Sequence, residues 1–348
     1  MRDQSSEPSV SYAVALFIGA SLLAVAAAGV RAYLDRVQEF PDMASYAEAA
    51  TAIRHWQLSG IPARQFWGYA DAGALLSLVL PGVPMLVVLV IVSTISGCVA
   101  VALAHRLWGG WIAVYLTAVG WQWVQREAFG GSEPLFMALV FAALLSARQD
   151  HTRRAALWAA LATVVRPIGI FALGAVLVRR KPTEVLLGLG IAAIVFGLYC
   201  VPLVFTGDVL GNIHWYAPQM TGGTVWGTLI AGEVSPVRDI LVVGAIAAVL
   251  MAAVVVFARE QKGRWAENLF ALGTSCFLIT LNCQPCAWAF PRFAIVSIPF
   301  ALIVTRHWLP RDDRAVFVLS IVSALIAAAM QFNDRDPGTA LLHLFSLH

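Results

Sequence analysis

The chain has 348 residues, 60% hydrophobic and 12% charged, with a mean hydropathy of +0.78. That balance excludes an ordinary soluble domain, and apolar runs repeatedly reach the roughly 20 residues that cross a hydrocarbon core as a helix. The net charge of +3 comes from arginines in short loops between those runs, which reads as a topology signal and gives no reason to expect a nucleic-acid partner.

Barrel strands would alternate in polarity, and these runs do not, so the expected fold is all-α. It is a polytopic transmembrane helical bundle, a single integral membrane domain over 1–348, with about 10–11 membrane segments. Tyr12 to Val30 is the first crossing, long enough to stay as an anchor and without a clear leader-cleavage site. It delivers a polar stretch, 31–80, to the outer (periplasmic) face. Within this first outer loop, Pro41 suits a helix start and Gly60 to Pro62 its end, which predicts an interfacial helix over Asp42 to Leu58.

Met85 to Leu103 returns to His105 and Arg106, Trp111 to Trp123 goes out, and Pro134 to Leu145 comes back to Arg148, Arg153 and Arg154. The next run, Ala155 to Val178, is one helix long, yet basic clusters flank both ends. Arg166-Pro167 sits at its midpoint, where proline removes a backbone donor and biases the preceding residue away from helix. This predicts a broken hairpin turning at Arg166, with one straight helix as the alternative. Val185 to Phe205 then leads to a second outer loop, 206–236, with His214, Trp215 and Tyr216. Four further apolar runs follow, Ile240 to Ala258, Leu269 to Leu281, Phe293 to Val304 and Val316 to Met330, with Asn282 to Arg292 between the second and third on the outer side. Most of the 23 Lys and Arg residues fall in the inner loops of this scheme, as the positive-inside rule asks.

Ionisable residues outside the inner loops are expensive and tend to line cavities. Asp42 could be a helix N-cap, Glu48 a solvated charge, and Glu133 before Pro134 a stabilising acid at a helix start. Arg166 is harder to explain away. A guanidinium halfway through an apolar run needs a counter-anion, either an acid such as Glu133 or a substrate phosphate. Arg292 could snorkel to the interface, and His214 could belong to an interfacial aromatic belt. Cys283 and Cys286 have a C-x-x-C spacing with no second such pair and no paired His, so the plain reading is two unbonded residues, with a redox pair, half a metal site or a strained disulfide as alternatives.

In order, Phe40-Pro41-Asp42-Met43-Ala44-Ser45-Tyr46, Phe66-Trp67-Gly68-Tyr69, Ser132-Glu133-Pro134-Leu135-Phe136, Val165-Arg166-Pro167-Ile168-Gly169 and Pro291-Arg292-Phe293 resemble the GT-C superfamily of polyprenyl-phosphate-sugar-dependent membrane glycosyltransferases, particularly the bacterial mannosyltransferase-like type. The resemblance implies a hexosyltransferase at the bacterial inner membrane with its site facing the periplasm or cell exterior. The reaction would move mannose or a similar sugar, with inversion, from a polyprenyl-phosphate donor to a glycan, lipid or protein hydroxyl. It assigns Asp42 as catalytic base and Arg166 and Arg292 as binders of the donor phosphate. Glu133, Glu48, His214 and Tyr46 become acceptor-binding or orienting residues. No cofactor is required by it; a divalent cation, Mg or Mn, is compatible with it, and no metal ligand is assigned. Many relatives carry an acidic pair near the loop aspartate, whereas here Asp42 stands between Pro41 and Met43. The competing reading is a transporter or flippase of a lipid-linked or small anionic solute, since carriers also build sites at broken helices.

Overall fold

A computed structural model describes residues 7–33, 41–61, 63–120, 123, 131–216, 255, 259, 264–280 and 295–330. All regular structure among them is helical. Three helices are long and apolar enough to cross a membrane: α1 (Val10–Tyr33), through its Val10–Ala27 window, α4 (Met85–Trp108) and α9 (Pro182–Thr206). Their surfaces match that use. Leu22 on α1 and Leu186, Ile194 and Leu198 on α9 are mostly exposed, which water would penalise and lipid would not. The chain is consistent with a membrane protein.

Between these lie α2 (Pro41–His55), α3 (Gly68–Ser77), α5 (Gly110–Val119), α6 (Glu133–Arg148) and α7 (Thr152–Val165). A one-turn 3-10 helix over Pro167–Gly169 and α8 (Ile170–Leu177) follow α7, α10 (Gly211–Tyr216) follows α9, and α11 (Trp265–Thr280), α12 (Ile298–Thr305) and α13 (Asp313–Met330) complete the described elements. The core is a layer in which α4 packs on α6, α6 on α7 and α7 on α9, while α1 is held between α4, α5 and α13. Ala104, Phe136, Phe141, Ala156 and Ala160 are fully buried there. Small residues at the α6–α7 seam let the backbones approach closely, the usual means of association where lipid offers no hydrophobic drive.

The first polar loop departs from expectation in two places. Its helix α2 stops at His55, three residues before Leu58, because Trp56 adopts a left-handed backbone with φ of 53°. A second helix, α3, occupies Gly68–Ser77, and α2 and α3 pack on each other. Its alanines and glycines give little amphipathic signal, so the sequence reads as polar loop.

The run from Ala155 to Val178 is broken as expected. α7 ends at Val165, Arg166 is extended with φ of −147° and ψ of 131°, and the 3-10 turn re-aims the chain into α8. That extended geometry is what the pyrrolidine ring of Pro167 imposes on its predecessor. The far ends are tied together: Arg180 Nη1 lies 2.7 Å from Asp150 Oδ1, and Arg180 Nη2 donates to Ala147 O at 2.7 Å. The two basic clusters thus share one end of the bundle.

Candidate functional site

α6 fixes the two ends of the site's scaffold. Its 16 residues span about 24 Å, with Glu133 at the first turn and Arg148 at the last. At the Glu133 end, the break after α7 swings Arg166 onto α6. Arg166 Nη1 lies 2.6 Å from Glu133 Oε1, with the two side chains 15% and 1% exposed. The same nitrogen donates to Ser132 Oγ at 3.4 Å, and Tyr46 of α2 donates to that hydroxyl at 3.3 Å. Tyr46 stands edge-on to Tyr69 of α3, with centroids 5.0 Å apart and planes at 86°. Tyr69 reaches Leu89 O and Ser93 Oγ, each at 2.7 Å, and Ser93 donates to Gly131 O. Four helices and the turn before α6 are thereby joined through hydroxyl groups.

Asp42 lies one helical turn before Tyr46 on α2, so the two face the same way. The helix begins at Pro41, which places Asp42 inside the first turn instead of at the cap. Its carboxylate reaches across the loop, and Oδ1 accepts a hydrogen bond from Gln65 Nε2 at 2.7 Å. Gln65 is buried, and its Oε1 has no hydrogen-bond partner among the described residues. Its backbone carbonyl, with that of Ala63, accepts from Asn212 Nδ2. Asn212 Oδ1 accepts from Tyr199 OH at 3.0 Å, and the Trp67 N–H donates back to that phenol oxygen at 3.3 Å. Asp42 is therefore held by an amide relay that ends on α9.

Two glycines make this assembly close enough. A Cβ on Gly68 would sit 2.6 Å from Val164 O, so α3 starts directly against the last turn of α7. A Cβ on Gly169 would sit 2.5 Å from Thr163 N, so the turn after Arg166 folds tightly back on α7. Only glycine tolerates backbone approaches of this kind.

Asp71, in the first turn of α3, was not singled out by the sequence. Burial pushes its carboxyl from 3.8 to about 7, and it lies within electrostatic reach of Tyr199. Gln65, Tyr199 and Asn212 were also missed. Asn212 in Gly211-Asn212-Ile213 could have been flagged as an amide beside an apolar run, but nothing local marks Gln65 or Tyr199.

The structure thus brings Glu133, Arg166 and Tyr46 into one network and places Asp42 one turn from it. Glu48 is exposed and outside it. His214 is also exposed and pairs with Asp208 at 3.0 Å. Beside it, Trp215 stacks under Arg64, whose Cζ is 5.4 Å from the ring centroid. Arg292, Cys283 and Cys286 lie outside the described residues. Among the described residues no three His, Cys, Asp or Glu side chains converge.

The chain matches no protein-family model, no curated protein and no solved structure.

Proposed function

We propose that the chain is a polytopic GT-C-type glycosyltransferase. It moves a sugar from a polyprenyl-phosphate donor to an acceptor hydroxyl on a glycan, lipid or protein at the outer membrane face, with inversion. The observation that carries this reading is the junction of α2, α6 and α7, where a carboxylate, Asp42, stands one turn from a hydroxyl network ending on the Arg166 guanidinium.

In this reading the acceptor oxygen attacks the anomeric carbon, and the bond from that carbon to the phosphate oxygen breaks with its electron pair. Asp42 takes the proton of the attacking hydroxyl as the oxocarbenium-like transition state develops. Arg166 stabilises the negative charge gathering on the departing polyprenyl phosphate. Glu133 orients the Arg166 guanidinium, whose planar fork of N–H donors is the group suited to a phosphate oxyanion. Arg292, in the same reading, is a second phosphate ligand. Gln65 fixes the rotamer of Asp42, and Asp71 adds a carboxyl group that titrates near neutrality beside Tyr199.

The test is transfer of a radiolabelled sugar from its polyprenyl phosphate by the purified protein in proteoliposomes, comparing wild type with Asp42→Asn. Glycoside formed by wild type and lost in the variant supports the reading. Equal transfer by both removes Asp42 as base, and solute uptake with no glycoside would turn the reading to a carrier.

A further inference from the structure

At the arginine-rich end of the bundle, the turn before α7 and the first turns of α9 border an open cavity of about 450 Å³ that the proposed reaction does not use. Its lining includes Asp150, His151, Arg153, Arg154, Glu184 and Leu187. Asp150 is already paired with Arg180 through Oδ1 at 2.7 Å. Arg153 and Arg154 are exposed and Glu184 is half-buried, and none of these three makes an ion pair or a side-chain hydrogen bond among the described residues.

The positive-inside rule accounts for the side on which Arg153 and Arg154 lie, but not for their sharing one opening with a carboxylate to which they do not bond. α7 has no acid in its first turn, and cations at a helix start are unfavourable, so the arginine pair does not serve its own helix. One lip of the cavity is cationic, and the other, at Glu184 in the first turn of α9, is anionic. Leu187 then begins an apolar track. Leu187, Ile194, Leu198 and Val201 recur at helical spacing along one face of α9, and all four are exposed. From Leu187 to Leu198 the helix rises about 17 Å, close to half of a hydrocarbon core about 30 Å thick.

We propose that this cavity and the track beside it hold one phospholipid with an ethanolamine headgroup. Arg153 and Arg154 take its phosphate, Glu184 accepts hydrogen bonds from its primary ammonium, and one acyl chain lies along Leu187, Ile194 and Leu198. The volume equals that of about fifteen waters at roughly 30 Å³ each, which is room for a whole phosphorylated headgroup and more than a bare phosphate needs. Guanidinium forks match phosphate oxygens, and a primary ammonium brings three N–H donors to a carboxylate. A choline headgroup lacks those donors and a glycerol headgroup lacks the cation, so Glu184 is the residue that selects the headgroup.

The experiment uses the full chain in nanodiscs made from equal parts of phosphatidylethanolamine, phosphatidylcholine and phosphatidylglycerol. Native mass spectrometry of the lipid retained on release into detergent is compared for wild type, Arg153→Gln with Arg154→Gln, Glu184→Gln and Arg311→Gln, with unfolding temperatures alongside. The arginines replaced are exposed and unpaired among the described residues, so their loss does not threaten the fold. Arg311 lies outside the cavity. Enrichment of phosphatidylethanolamine over both other lipids in wild type, reduced at least about tenfold by the paired arginine variant and by Glu184→Gln and kept by Arg311→Gln, supports the site. Preferred retention of phosphatidylglycerol, lost in the paired arginine variant but not in Glu184→Gln, overturns the ethanolamine assignment in favour of an anionic headgroup. Equal retention of all three lipids by wild type, or an equal loss with Arg311→Gln, overturns the proposal altogether.

Discussion

Arg166 and Glu133 form an ion pair with Nη1 and Oε1 2.6 Å apart, and the carboxylate side chain is only 1% exposed. Neither residue belongs in an apolar environment alone. Truncating one partner of such a buried pair strands the other charge, at about 3–5 kcal/mol, whereas replacing both with neutral groups of similar size removes that penalty. Arg166→Met is therefore expected to lower the unfolding temperature in detergent markedly, and Arg166→Met with Glu133→Gln to recover much of the loss. A double variant no more stable than the worse single one would show that the pair does not act as a unit.

Asp42 accepts a hydrogen bond from a neutral amide, Gln65 Nε2, at 2.7 Å. Asp42→Asn keeps the shape and costs little stability. If Asp42 is the general base, transfer falls by about 10²–10⁴-fold, the usual contribution of such a group. Gln65→Leu leaves the carboxylate in place but releases its rotamer, so a smaller fall in turnover is expected. Single-turnover rates for both variants, with unfolding temperatures alongside, separate these effects.

The carboxyl of Asp71 has its folded pKa raised from 3.8 to about 7 by burial. Between those values the folded state holds a proton that the unfolded chain has lost, so rising pH favours unfolding. Wild type therefore loses stability from this group as pH climbs from about 4 to about 7 and loses no more above it. Asp71→Asn cannot ionise and escapes that loss. Its stability advantage over wild type is expected to be nil at the acid end, to open across the window and to stay level above neutrality. Thermal unfolding of both proteins across pH checks this, and an advantage that shrinks with rising pH would contradict the assigned cause.

Gly68 and Gly190 offer a matched pair. A Cβ on Gly68 would lie 2.6 Å from Val164 O, while one on Gly190 of α9 meets nothing within 4 Å. Gly68→Ala should separate α3 from α7 and destabilise by about 1–3 kcal/mol, as overpacking does. Gly190→Ala should be neutral or stabilising, by up to about 1 kcal/mol, through helix propensity. Because Gly68 precedes Tyr69, its variant should also weaken the Tyr46–Tyr69 contact and any activity that depends on α2.

The parts legible in the sequence are those set by local chemistry. Pro167 dictates the extended Arg166, and an apolar run with arginines at both ends dictates a turn between them. The Glu133 contact with Arg166 was one of two counter-anions that the isolated guanidinium called for. Asp42 illustrates the limit. Pro41 and the residues after it reproduce a helix start, but the partner of its carboxylate lies 23 positions away, and no spacing rule links positions 42 and 65. Asp71 is one of five acids in the polar stretch, and nothing local sets it apart from the others. Its raised pKa comes from burial on a short helix whose alanines and glycines carry no periodicity, so only tertiary packing reveals it. Tyr199 and Asn212 belong to the same class, brought to the loop by α9 and α10.

The broken hairpin carries the last prediction. With Arg180 bonded to Asp150 and to Ala147 O, the start of α7 and the end of α8 lie together, while Arg166 turns beside Glu133 at the other end of α6. A straight helix through 155–178 would instead place the two flanking clusters on opposite sides of a bilayer. Single cysteines introduced as Asp150→Cys and Arg179→Cys, in a background lacking the native cysteines, are expected to react with an impermeant maleimide from one and the same side of sealed vesicles. Glu48→Cys, on the exposed face of α2, should react only from the other side. The salt bridge between Arg180 and Asp150 is largely solvated on the Asp150 side, so Asp150→Cys removes an interaction of about 0–1 kcal/mol and leaves the hairpin folded. Labelling of positions 150 and 179 from opposite sides would rule out the hairpin in the membrane. Labelling of all three from one side would separate the hairpin from the placement of Asp42 across the bilayer, and the proposed outer-face chemistry would fall with it.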